Sequence, residues 1–248
     1  MAKEKKQLRR PGGELASRPL NFFWIVDCSG SMFGEKIGTV NNAIQATIPE
    51  MVDAAENNPN AKLMVRTLKF STGASWVTAS PIAIEDFVWN DLDAGGVTDL
   101  GKAFELLSAQ LDVEQLGTRA LPPVLVLLSD GQPTDNYKKQ LDKLLHMPWG
   151  KKAVRIAIAI GQDADNDVLT EFTGNRELVL QANNAATLTK MIKWASTVAS
   201  VVSAPASRAV PQDVKTNDEA SPGTSNAPLV LDMDNIPKAD EISADDVW

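Results

Sequence analysis

Residues 22–31 read Phe22-Phe23-Trp24-Ile25-Val26-Asp27-Cys28-Ser29-Gly30-Ser31, five consecutive apolar side chains running directly into a carboxylate and two hydroxyls. An unbroken apolar run is the pattern of a strand buried on both faces, as in a parallel sheet. In open α/β sheets ligands meet the loops at the carboxyl ends of the strands. The stretch therefore has a direction: scaffold behind Val26, chemistry in front of it.

Working outward, Ile37, Val40, Ile44, Ile48, Met51, Val52 and Ala55 recur at helical spacing. Lys62–Phe70 and Trp76–Ala79 read as two strands joined at Ser71-Thr72-Gly73, a hairpin at a sheet edge. Leu100, Ala103, Phe104, Leu107 and Leu111 mark a helix, and Val124–Leu128 a strand between Pro122-Pro123 and Ser129-Asp130-Gly131. Further on, Tyr137, Leu141, Leu144 and Leu145 predict a helix, Val154–Ile160 a strand, Val168–Phe172 a short helix and Leu178–Leu180 a last strand. Leu188, Met191, Ile192, Ala195, Val198, Ala199 and Val202 predict the closing helix. Repeated β–α alternation calls for a doubly wound α/β fold: a mostly parallel central sheet with one antiparallel edge strand and helices on both faces.

Composition bounds the alternatives. The 248 residues are 44% hydrophobic and 23% charged, which excludes a largely disordered or fibrous chain. Net charge is −8, unevenly spread. Residues 1–20 carry six basic and two acidic groups, residues 21–202 carry 15 and 21, and residues 203–248 carry three and nine. We therefore expect a basic flexible arm over 1–20, one domain over 21–202, and an acidic, Pro-rich disordered tail over 203–248. The acidic balance argues against sequence-independent nucleic-acid binding. No apolar run approaches a membrane span, and the basic N-terminus lacks the long apolar core and cleavage site of a signal peptide. One cysteine allows no internal disulfide, so the cytoplasm is the expected compartment.

Three strand-end loops carry the oxygens of a hard-cation site. The first holds Asp27, Ser29 and Ser31; Gly95-Gly96-Val97-Thr98-Asp99 adds a hydroxyl after a glycine pair; Ser129-Asp130-Gly131 adds a second carboxylate. Asp27-x-Ser29-x-Ser31, Thr98 and Asp130 together resemble the metal-ion-dependent adhesion site of von Willebrand factor A domains, and the resemblance spans about residues 21–200. It implies that Ser29, Ser31 and Thr98 coordinate the ion through their hydroxyls, with Asp27 and Asp130 acting mainly through coordinated waters. Mg²⁺ is the implied metal, with Mn²⁺ as the alternative.

Within the family, Gly34-Glu35-Lys36-Ile37, Val40-Asn41, Ser129–Asp135 and Gly161–Asp165 resemble the bacterial tellurite-resistance TerY-like branch. That likeness implies a non-enzymatic, Mg²⁺-dependent protein-interaction module of a cytoplasmic stress or defence system, working beside a Ser/Thr kinase and a PP2C-like phosphatase. The expected partner presents an Asp or Glu carboxylate to the open metal position. The alternative is a subunit docking onto a chelatase or AAA⁺ ATPase on another chain, since no P-loop is present here. A metal-dependent phosphoryl-transfer enzyme is disfavoured, because a two-metal site needs more carboxylates than Asp27 and Asp130 supply. No His or Lys accompanies these loops as a general base.

Other residues have plainer readings. Asp163, Asp165 and Asp167 imitate half of an EF-hand loop, but Val168 stands at the glycine position and Gly174 at the glutamate position, so helix capping is expected. Asp99 reads as a helix N-terminal charge, the alternative being a group that supports the metal ligands from behind; His146 reads as a helix-end surface residue and Cys28 as a packing residue. In the tail, Asp232, Asp234, Asp245 and Asp246 are candidates to meet the chain's own metal site or a partner.

Overall fold

The computed structural model describes residues 17–58, 61–130 and 132–203. The tail from 204, the arm up to 16 and Gly131 lie outside the described residues. β1 (Arg18–Asp27) begins within the expected arm and is buried from Leu20 onward. Among the described residues it sits inside a sheet of seven strands.

From β1 the chain passes a 3₁₀ turn at Gly30–Met32 into α1 (Glu35–Glu56) and returns through β2 (Ala61–Ser71), parallel to β1. β3 (Gly73–Trp76) and β4 (Ile82–Ala83) both pair antiparallel with β2 and together fill the edge position. The second hairpin strand thus lies at Gly73–Trp76 instead of the expected Trp76–Ala79. Gly73, at φ +79°, pairs with Ser71 and leaves only Thr72 at the tip. Further along, the carbonyls of Thr78 and Ala79 accept from the Arg66 guanidinium at 3.2 and 2.6 Å, so they have no need of a strand partner.

α2 (Leu100–Gln110) and the single turn α3 (Val113–Leu116) lead into β5 (Val124–Ser129), whose six residues are all buried between β1 and β6. α4 (Tyr137–His146), β6 (Val154–Ile160), α5 (Asn166–Thr173), β7 (Val179–Ala182) and α6 (Ala185–Ser203) complete the alternation. The order across the sheet is β3-β2-β1-β5-β6-β7.

Strand alternation divides the core into two layers. Phe22, Trp24 and Val26 face α1 and α6, with Ile37, Ile44, Leu188 and Ile192. Phe23 and Ile25 face α2, α4 and α5, with Phe104, Leu141 and Phe172. This is the doubly wound α/β fold expected from the sequence. No helix among the described residues is long and apolar enough to cross a membrane.

Candidate metal centre

Parallel pairing of β1 with β5 aligns Val26 with Leu128, so Asp27 and Ser129 emerge side by side at the strand ends. The Ser129 hydroxyl donates to Asp27 Oδ2 at 2.6 Å, and the Ser29 amide donates to Asp27 Oδ1 at 2.8 Å. Both carboxylate oxygens of a fully buried aspartate are thereby held in a fixed orientation. Burial pushes the Asp27 carboxyl up from 3.8 to about 6; the Ser129 and Ser29 hydrogen bonds oppose this rise, and the Asp130 charge adds to it.

Ser29 and Ser31 follow at alternate positions, their hydroxyl oxygens 3.0 Å apart. Ser29 is buried and Ser31 exposed, so the pair runs from the interior to the surface. The Thr98 loop is stitched to this one. The Gly95 amide donates to the Cys28 carbonyl at 2.7 Å, and the Gly30 amide to the Gly96 carbonyl at 3.0 Å. Gly96 is at φ +86°, and a Cβ there would lie 2.5 Å from Thr72 Oγ1, so glycine is required for this approach.

Thr98 is bound from the β5–α4 loop as well. Its amide donates to Thr134 Oγ1 at 3.2 Å, and its carbonyl accepts from the Thr134 amide at 2.8 Å. The three loops therefore converge, with Asp27, Ser29, Ser31, Thr98 and Asp130 all at one end of the sheet.

Asp130 differs from its neighbours. It is 1% exposed, yet neither carboxylate oxygen has a hydrogen-bond partner among the described residues. A buried carboxylate without donors is costly and calls for a positive charge. Two buried carboxylates beside two serine hydroxyls and a threonine match the oxygen preference of Mg²⁺ or Mn²⁺, and the residues present fit such an ion.

Several supporting residues were not read from the sequence. Ser129 orients Asp27, and Thr134 holds Thr98. Asp135 accepts from the Gly101 and Lys102 amides at 2.9 and 3.1 Å, capping α2 from another loop. Asn41 clamps the segment before the glycine pair: its Nδ2 donates to the Leu92 carbonyl at 3.0 Å, and its Oδ1 accepts from the Leu92 amide at 3.0 Å and from Trp89 Nε1 at 3.2 Å. Asp99 stands at the start of α2, but its side chain makes no capping hydrogen bond. Its Oδ2 instead accepts from the Gly73 amide at 2.7 Å, tying the β2–β3 turn to the Thr98 loop.

The plainer readings hold elsewhere. Asp165 caps α5, accepting from the Asp167 and Val168 amides. Cys28 is 2% exposed, and burial pushes its thiol up to about 12, which suits packing and not nucleophilic attack. His146 is exposed at the end of α4, its Nδ1 2.7 Å from the Asp142 carbonyl oxygen.

The model of the von Willebrand factor type A domain matches residues 23–194. No curated protein matches the chain. Among solved structures, it is similar to the open pilus adhesin SpaC of Lactobacillus rhamnosus GG at 14% identity and a TM-score of 0.59, over 75% of this chain and 30% of that one. It also resembles proximal thread matrix protein 1 of the mussel byssus, solved with a zinc-occupied adhesion-site motif, at 18% identity and a TM-score of 0.56, over 76% and 50% of the two chains. A von Willebrand factor type A protein from Catenulispora acidiphila aligns at 15% identity and a TM-score of 0.53, over 74% and 43%. The chain thus spans half or less of each of these structures, and at such identities the likeness establishes the fold alone.

Proposed function

The chain belongs to the von Willebrand factor type A domain family, whose members commonly serve as protein-interaction or adhesion modules, and from that membership we propose that it is a Mg²⁺-dependent protein-recognition module. Asp27, Ser29, Ser31, Thr98 and Asp130 hold the ion, with Mn²⁺ able to replace Mg²⁺. The observation that carries this reading is the buried Asp130 carboxylate, with no donor to either oxygen among the described residues. Bound there, the ion supplies a positive centre with a position free for a carboxylate from outside.

The residues divide the work. Ser129 and the Ser29 amide fix Asp27, Thr134 fixes Thr98, and exposed Ser31 marks the side from which a partner arrives. The partner presents an Asp or Glu side chain. No His or Lys stands in these loops as a general base, and the proposal is of a binding device and not an enzyme. The TerY-like residues support a further step: a bacterial cytoplasmic stress or defence system in which the partners are a Ser/Thr kinase and a PP2C-like phosphatase.

The test is capture of partners by the full chain in Mg²⁺ and in EDTA, with Asp130→Asn alongside. Partners retained in Mg²⁺ and lost under both other conditions support the reading. Phosphatase or nuclease turnover that requires Mg²⁺ and disappears in Asp27→Ala would overturn it.

A further inference from the structure

Large apolar side chains exposed among the described residues are Phe33, Val88 and Val97, at 77%, 70% and 46%. Isolated exposed apolar residues are ordinary, but two of these belong to the loops of the candidate metal centre. Phe33 follows Ser31 by two positions, and its amide closes the 3₁₀ turn on the Gly30 carbonyl at 3.2 Å. Val97 directly precedes Thr98, and the hydrogen bond from Gly30 to Gly96 joins the two loops. A ligand suited to this rim carries a carboxylate with apolar side chains beside it.

Such a segment exists in this chain. Leu229-Val230-Leu231-Asp232-Met233-Asp234-Asn235-Ile236 interleaves two carboxylates with five apolar residues, in the acidic stretch that follows α6. The last turns of α6 lie at the far end of the sheet: Ser196 and Ala199 line a small cleft with Leu20, Ala61 and Leu63, at the starts of β1 and β2. From Leu20 to Asp27 is a rise of roughly 23 Å at about 3.3 Å per residue. Twenty-five residues separate Ser203 from Leu229. A chain of that length can span up to about 80–90 Å, well beyond that gap, and carrying the segment on the same chain raises its effective concentration at the rim. Even a weak contact is then substantially occupied.

We propose that Leu229–Ile236 docks on the chain's own metal-site rim, placing the Asp232 or Asp234 carboxylate at the free metal position and its apolar neighbours against Phe33 and Val97. The proposal rests on the reading of Asp27, Ser29, Ser31, Thr98 and Asp130 as a metal centre. The tail then competes with any carboxylate-bearing partner, and recognition requires its release.

The test is paramagnetic broadening by Mn²⁺ in the isotope-labelled full chain. Expected is loss of amide signals around Ser29 and Thr98 together with those of 229–236, independent of protein concentration. In Asp232→Asn/Asp234→Asn, and separately in Phe33→Ser, the tail signals return while the loop signals stay lost. If the loop signals are lost but the tail stays sharp, the docking proposal falls and the metal reading stands. If the loop signals also stay sharp, the metal reading itself falls. Tail broadening that persists in Asp130→Asn places Mn²⁺ on the tail and overturns docking. Broadening that grows with protein concentration assigns the contact to a second copy and overturns the intramolecular form.

Discussion

The Ser129 hydroxyl donates to Asp27 Oδ2 at 2.6 Å, while Asp130, the next residue along, accepts no hydrogen bond from the described residues on either carboxylate oxygen. One carboxylate of the site is oriented by the protein, and the other is left for something the protein must acquire. Ser129→Ala removes a short charge-assisted bond in a buried setting, at a cost of about 1.5–3 kcal/mol. Mg²⁺ affinity should fall by about 10–100-fold, the usual price of losing a group that orients a ligand. Thermal unfolding in EDTA and calorimetric Mg²⁺ titration check the two effects.

Asp130→Asn should move stability in opposite directions with and without metal. In EDTA the variant is relieved of a buried, unpaired charge and should be more stable than the parent by about 1–3 kcal/mol. A domain of this size gains about 2–4 °C in Tm per kcal/mol. With Mg²⁺ the order reverses, because only the parent gains binding energy. Parallel melting curves in EDTA and in Mg²⁺ read the crossover; equal Mg²⁺ stabilisation of both proteins would exclude Asp130 as a ligand.

Acidity should act on the metal-free protein through Asp27. Its folded value, about 6, lies above the ordinary 3.8, so between these pH values the folded state binds the more protons. By linkage, this group's contribution to stability rises as pH falls from about 6 toward 3.8 and declines as pH rises through that window. Protons and metal compete for the same oxygens, so Mg²⁺ affinity should fall over that window as pH is lowered. Unfolding in EDTA at a series of pH values, compared with Asp27→Asn, isolates the contribution.

The glycine pair provides a matched contrast. Gly96→Ala forces a Cβ to within 2.5 Å of Thr72 Oγ1 at a φ of +86°, whereas a Cβ at Gly95 meets nothing within 4 Å. Gly96→Ala should cost about 1–3 kcal/mol and weaken Mg²⁺ binding by displacing the Thr98 loop, while Gly95→Ala changes little. Chemical denaturation of the two variants, with metal titration, measures the difference.

The architecture was readable because burial dictated it. The Phe22–Val26 run, the Val124–Leu128 run and the helical spacings between them correspond to β1, β5 and the surrounding helices. The oxygens at the ends of β1 and β5 followed from the same logic. β4 escaped because two residues carry no period, and α3 because one turn does not either. The shift of β3 depends on Arg66 satisfying the Thr78 and Ala79 carbonyls from across the strand, which no local pattern reveals. Ser129 likewise gains its role from a partner 102 residues away, through the parallel register of β1 and β5. Asp99 looked like a cap because it precedes a helix, but Asp135 supplies the capping oxygens and leaves Asp99 to hold the Gly73 turn.

Calorimetric titration of Mg²⁺ into the EDTA-stripped full chain tests the metal centre most directly, with Thr98→Ala and Asp130→Asn as paired variants. The expected result is binding at a single site in the parent protein and its loss in both variants while their folds persist by circular dichroism. Heats that are the same in all three proteins, or absent from the parent at millimolar Mg²⁺, would contradict it.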